Sequence, residues 1–186
     1  MAKPLIRYSD AELYALLSTE RSEEAFTELY ARHSPLVMAY CLRVLGTTDK
    51  AQDAFQETFL RFFNSAEADR NMINVQGYLI RIARNHCLNL IRDERETVPL
   101  DEMHMPIQEQ APEKRELLNL ITTALELLPF EYREAFVLRM YNGFTFAEIA
   151  DIVDASIPTV KIRVYRAKQK LRSILARYLV DIDEQF

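Results

Sequence analysis

Between Ile157 and Arg177 the chain carries seven lysines or arginines and no acid, although its formal net charge is -5. The cations are Lys161, Arg163, Arg166, Lys168, Lys170, Arg172 and Arg177. At about 100° per residue, Ile157, Val160, Val164, Ala167, Leu171, Ile174, Leu175 and Tyr178 fall on one stripe, and the cations flank Ile162 on the remaining surface. A helix that packs one face and offers only positive charge on the other suits a polyanion. Two further faces combine polar groups at helical spacing. Asp53, Gln56, Glu57 and Leu60 share one side of a stretch whose other side is lined by Phe55, Phe59, Phe62 and Phe63. Arg81, Arg84, Asn85, Asn89 and Arg92 share a surface of cations and amides without acid.

Nothing comparable points to a reaction. His33, His86 and His104 do not pair with cysteine or carboxylate at ligand spacing, and no glycine-rich phosphate loop is present. We therefore expect no catalytic residue, no metal and no cofactor. Cys41 and Cys87 lie far apart inside apolar helical patterns, which reads as two buried thiols in a reducing compartment. The chain has no apolar run near the ~18 residues a membrane span needs and no apolar leader, so a cytoplasmic protein without membrane insertion is expected.

The elements that must position these faces read as helices throughout. Three glycines in 186 residues, with abundant Ala, Leu, Glu and Arg, predict an all-α protein. Ser9-Asp10 caps a short first helix. A second starts near Ser22, with Phe26, Leu29 and Tyr30 inward, and Pro35 is expected to stop or kink it before Gly46 ends the apolar run. Thr48 or Asp49 opens a helix to about Asn64, whose four phenylalanines are expected in the core. Ser65–Gln76 is read as a loop. A long helix follows from about Val75 to Asp93, with Val75, Leu79, Ile82, Ala83, His86 and Leu90 inward.

Pro99, Pro106 and Pro112 then break the pattern, and residues 96–112 are read as an extended acidic linker between two small helical domains, 1–95 and 113–180. In the second, a helix over Glu113–Leu128 precedes one opened by Pro129 and stopped near Asn142-Gly143. Thr145 caps FAEIADIV, with Glu148 placed for a capping box. Asp154-Ala155-Ser156 makes a tight turn, Ser156 caps the cationic helix, and Pro158 lies in its first turn. Residues 181–186 form an acidic tail expected to fray. A short helix, a three-residue turn and a cationic second helix make a helix-turn-helix, whose second helix fits a DNA major groove. Thr159, Lys161, Ile162, Tyr165 and Arg166 point away from the packing stripe and are the expected base-edge and phosphate contacts.

The segment from Ala124, ALELLPFEYREAFVLRMYNGFTFAEIADIVDASIPTVKIRVYRAKQKLRSIL, resembles the C-terminal DNA-binding domain of the extracytoplasmic-function (ECF) sigma factors of the sigma-70 family. DAFQETFLRFF resembles that family's Asp-Ala-x-Gln-Glu-x-Phe helix, and GYLIRIARNHCLNLIR its Trp-Leu-x-x-Ile-Ala-x-Asn helix, with Tyr78 in the tryptophan position. The resemblance implies a non-enzymatic initiation subunit with a region 2-like and a region 4-like domain. Asp53, Gln56, Glu57 and Leu60 would dock on the β′ clamp helices of core RNA polymerase, and the β flap would be a second contact. Asn74, Arg81, Arg84, Asn85, Asn89 and Arg92 would capture the melted -10 strand, with the loop 65–76 pocketing a flipped base. Ser156, Thr159, Lys161, Ile162, Arg163, Tyr165, Arg166, Lys168 and Lys170 would read the -35 duplex. The linker would thread toward the polymerase active site, and an anti-sigma factor is an implied partner. Ile162, where serine is common, and Asp69, where some members carry an aromatic, bear on which promoter is read.

Overall fold

The computed structural model describes residues 4–65, 73–97 and 120–183, with side chains described up to Asp93 in the second segment and Ala176 in the third. Every regular element among them is helical: α1 Asp10–Leu16, α2 Ser22–Leu45, α3 Thr48–Ser65, α4 Val75–Thr97, α5 over 120–126, α6 Phe130–Met140, α7 Phe146–Val153 and α8 Ile157–Asp183. They group into two compact units. One comprises Met1–Leu42 with Thr47–Asn89, and the other Arg43–Gly46 with Leu90–Phe186. The expected linker from residue 98 onward, the loop residues 66–72, and the first half of the helix expected from Glu113 lie outside the described residues.

In the first unit, α1 begins at a full capping box: the Ser9 hydroxyl accepts from the Glu12 N–H, and the Ser9 N–H donates to the Glu12 carboxylate. The Arg32 guanidinium holds the N-terminal turn, donating to the Tyr8 and Ile6 carbonyls at 2.9 and 3.1 Å and to Asp10 at 2.8 Å. His33, buried beside it, has Nε2 2.7 Å from the other Asp10 oxygen.

Proline 35 does not stop α2, which continues through it to Leu45. The proline itself is exposed, while Val37, Tyr40, Cys41 and Val44 beyond it are all buried. Burying each such side chain is worth about 1.5–3 kcal/mol, which together outweighs the ~3 kcal/mol a mid-helix proline costs. The core between helices is aromatic. Tyr14 of α1 packs on Phe62 of α3 at 5.4 Å, Phe62 lies 6.2 Å from Tyr78 of α4, and the Tyr14 hydroxyl donates to the Ser65 carbonyl.

Two packing expectations need correction. Phe55, Phe59 and Phe62 are buried, but Phe63 is 40% exposed and lies edge-on to Phe26, and Tyr30, expected inward, is 41% exposed. In α4 the inward face is Val75, Leu79, Ile80, Ala83 and Cys87, with Ile82, His86 and Leu90 only half-buried at its margin. The face is thus turned by a fraction of a turn from the stripe expected.

In the second unit, α6 and α7 both pack on α8. Ala124, Leu125 and Leu128 meet Ala167 and Leu171, with Tyr132, Phe136, Ile174 and Leu175 around them. Pro129 precedes α6, and Gly143, at φ 75°, turns the chain toward α7. Val160, Val164, Ala167 and Leu171 are the buried row of α8; Ile157 is 42% exposed instead. It lies about 60° from Val160 around the axis and in the first turn, where the stripe meets the edge of the unit. The helix runs to Asp183, and no glycine or proline interrupts it after its first turn.

The turn between α7 and α8 fixes their crossing. Asp154 caps α7 at φ 51°, ψ 57°, the left-handed conformation, with its N–H on the Ala150 carbonyl. That conformation costs a side-chain-bearing residue up to ~1–2 kcal/mol, less for Asp, and costs glycine almost nothing. Asp154→Gly should therefore stabilise this unit by about 0.5 kcal/mol, and Asp154→Val should destabilise it by about 1 kcal/mol or more. Thermal unfolding of the three proteins measures both; a Val variant as stable as the parent would contradict the turn geometry.

Candidate nucleic-acid interface

Helix α8 starts at Ser156, whose hydroxyl accepts from the Thr159 N–H at 3.2 Å and lies 2.8 Å from the Thr159 hydroxyl. With the buried row inward, Lys161, Ile162, Tyr165, Arg166, Lys168 and Lys170 are all exposed, Ile162 by 52% and Tyr165 by 61%. The Tyr165 hydroxyl accepts from the Gln169 amide one turn later at 2.7 Å, so the exposed ring is held rather than free to swing.

The cations are not equivalent. Arg163 faces α6, its side chain 19% exposed and its guanidinium 3.4 Å from the Glu131 carboxylate. Arg166, exposed, donates to the Tyr132 hydroxyl at 3.1 Å, and that hydrogen bond raises its pKa. Lys161 has Nζ 5.8 Å from the Phe146 ring of α7, and Arg139 of α6 stacks over the same ring at 4.9 Å while donating to the Phe144 carbonyl. Glu131, Tyr132, Arg139 and Phe146 have no mark in the sequence that ties them to α8. Their connection is a fold-level contact, and periodicity within one helix does not report it.

The capping box of α7 is complete. The Thr145 hydroxyl accepts from the Glu148 N–H, and the Thr145 N–H donates to the Glu148 carboxylate at 2.8 Å. The backbone and hydroxyl of Thr145 hold the Glu148 pKa below the usual carboxylate range. The stability this adds is present above the unfolded value of about 4.3 and is lost as pH falls through the lower folded value.

On α3, Asp53, Gln56 and Leu60 are exposed, and Leu60 is 57% so. Glu57 is half-buried and paired with Arg61 one turn on, which lowers its pKa. Asp53 has no such partner in its helix. On α4, Arg81, Asn85, Asn89 and Arg92 are exposed and Arg84 is half-buried; Arg92 approaches Asp93 at 3.5 Å. Asn74 stands apart from them. Its side-chain oxygen accepts from the Gly77 N–H at 2.8 Å, so it caps α4, and a Cβ at Gly77 would lie 2.8 Å from the Asn74 amide nitrogen.

Residues 29–97 match the Sigma-70 region 2 family and residues 118–171 match Sigma-70 region 4. The chain is 30% identical over 169 residues to the ECF RNA polymerase sigma factor SigM of Mycobacterium tuberculosis, covering 90% of this chain and 85% of that protein. It is 27% identical to SigW of Bacillus subtilis, covering 82% and 90%. It is 31% identical to SigE of Mycolicibacterium smegmatis, of whose length it spans 63%. Among solved structures, CnrH in complex with the cytosolic domain of CnrY superposes with a TM-score of 0.69 at 25% identity, covering 90% of this chain. RpoE of Bartonella quintana, in complex with the anti-sigma factor NepR, has the same TM-score at 23% identity and shares the fold. The chain belongs to the ECF sigma factors of the sigma-70 family. It is an RNA polymerase sigma factor, a non-enzymatic class of initiation protein, and no described helix is long and apolar enough to cross a membrane.

A cap and a base contact make different demands on Asn74. Asn74→Ala should cost about 1 kcal/mol of stability in the absence of DNA, and Asn74→Asp should restore most of it. Thermal melts of the free protein test this; an alanine variant as stable as the parent would remove the capping role.

Proposed function

We propose that this sigma factor binds core RNA polymerase through α3, captures the melted -10 strand on α4 and reads the -35 duplex with α8. The observation that carries the reading is the outward face of α8, exposed, cationic and free of acid, on a helix seated against α6 and α7 by its apolar row. A major groove accepts one such helix, and its flanking lysines neutralise phosphates. Lys161, Ile162, Tyr165 and Arg166 occupy the exposed centre and set sequence choice; Lys168 and Lys170 anchor on phosphate. Ser156 and Thr159 place the first turn through their mutual hydrogen bond.

On α4 the guanidinium and amide groups of Arg81, Arg84, Asn85, Asn89 and Arg92 serve single-strand capture. Arginines hold phosphates, and asparagine amides meet base edges that a duplex would hide. On α3 the β′ clamp helices meet Asp53, Gln56, Glu57 and Leu60. The β flap is the second polymerase contact, the chain divides as 1–95, 96–112 and 113–180, and an anti-sigma factor regulates it in the cytoplasm. The genes served answer to a stress or other signal.

Adding this chain to core RNA polymerase should give promoter-specific run-off transcription from a promoter library. Silence across the library, with the same core active under another sigma factor, would refute the reading. Asp53→Lys combined with Glu57→Lys should weaken core capture roughly tenfold, given ~0.2–1 kcal/mol per exposed pair and added repulsion on reversal. Core capture equal to the parent's would remove α3 from the interface.

A further inference from the structure

Two arginines on successive turns of α8 are handled in opposite ways by the first turn of α6. Arg163 is drawn against a carboxylate, Glu131, with its side chain largely covered. Arg166 is exposed, and its Nη1 is held by a neutral group, the Tyr132 hydroxyl, at 3.1 Å. The Tyr132 ring is itself anchored, packed against the cluster of Ala124, Leu125, Leu128, Ala167 and Leu171.

The difference matters for an anion-binding helix. A carboxylate partner cancels the guanidinium charge and must be displaced before phosphate can take its place. A phenol hydroxyl orients the guanidinium and leaves the full positive charge available. It also removes part of the rotamer entropy that immobilising a long cationic side chain at an interface would otherwise cost. An accepting hydroxyl keeps its own O–H to donate, so Tyr132 can serve the same anion.

We propose that Tyr132 is a positioning residue that presents Arg166, charge intact, to DNA, while Glu131 withdraws Arg163 into a structural pair. This deepens the reading of α8 as the duplex-binding helix and rests on it. It also divides the cations of α8 by role. Arg166 belongs to the DNA contact; Arg163 belongs to the packing of α8 on α6.

The test uses the full chain assembled with core polymerase and a -35 duplex selected from a randomised pool by the parent holoenzyme. Tyr132→Phe keeps the packed ring and deletes the hydroxyl. It should lower affinity about three- to tenfold, as expected for one hydrogen bond, with the melting temperature of the free protein unchanged. In an Arg166→Gln background the same change should have no further effect, because the coupled partner is gone. Arg166→Gln should reduce the slope of log affinity against log salt by about one, whereas Arg163→Gln should leave that slope unchanged and lower the melting temperature. The proposal is overturned if Tyr132→Phe binds as the parent does, if its loss persists in full beside Arg166→Gln, or if Arg163→Gln changes the salt slope as Arg166→Gln does. If the parent holoenzyme enriches no -35 sequence at all, the duplex-reading assignment itself falls, and the positioning role falls with it.

Discussion

Burial of Val160, Val164, Ala167 and Leu171 leaves α8 no freedom to rotate about its own axis. A slip of one residue would swing the face by about 100°, exposing valines and pushing lysines into α6 and α7. The placement of the described cations of α8 follows from that row. Lys161, Tyr165, Lys168 and Arg166 face solvent because the opposite side has to be dry, and the left-handed turn at Asp154 aims the helix so that this face lies open. The cost of that turn is small beside the burial it permits.

The first unit applies the same constraint to two helices at once. Phe55, Phe59 and Phe62 hold α3 in register against α1, α2 and α4, which sets Asp53, Gln56 and Leu60 outward. Leu79, Ile80, Ala83 and Cys87 do so for α4 and bring Arg81, Asn85 and Asn89 to the surface. An acid-bearing face and an acid-free face arise on neighbouring helices of one small core. Neither needs any special local geometry, only an amphipathic helix with a distinctive polar side.

This explains what was legible in the sequence and what was not. Caps and turns were: Ser9, Thr145, Ser156, Gly143 and Asp154 act within a few residues of themselves, so their chemistry is local. The helix-turn-helix and the outward face of α8 were legible for the same reason. That Pro35 does not stop α2 was not legible, because its penalty is local while the compensation, the buried row from Val37 to Val44, is tertiary. Phe63 and Tyr30 misled because hydrophobicity states that a side chain gains from burial, not that a neighbour exists to bury it. The pairing of Arg163 with Glu131 and of Arg166 with Tyr132 joins residues more than thirty positions apart, and no spacing rule within α8 separates the two arginines. Asn74 was assigned to the -10 strand through the family resemblance, and the structure gives its side-chain oxygen a partner in the Gly77 N–H.

The segregation of charge onto α8 has a consequence for how the protein behaves before any specific contact forms. With a sequence isoelectric point near 5.3 and a cation-only segment at 157–177, the chain carries on α8 a charge opposite in sign to its net charge. Near a polyanion the net repulsion reaches further, and attraction to the α8 cations takes over at close approach, so the orientation that presents this helix is the one that binds. Encounter with nucleic acid should then depend on orientation as well as on net charge. Retention on an ion-exchange matrix should likewise depend on which face meets the resin, and binding to both anionic and cationic media at one pH is the expected signature.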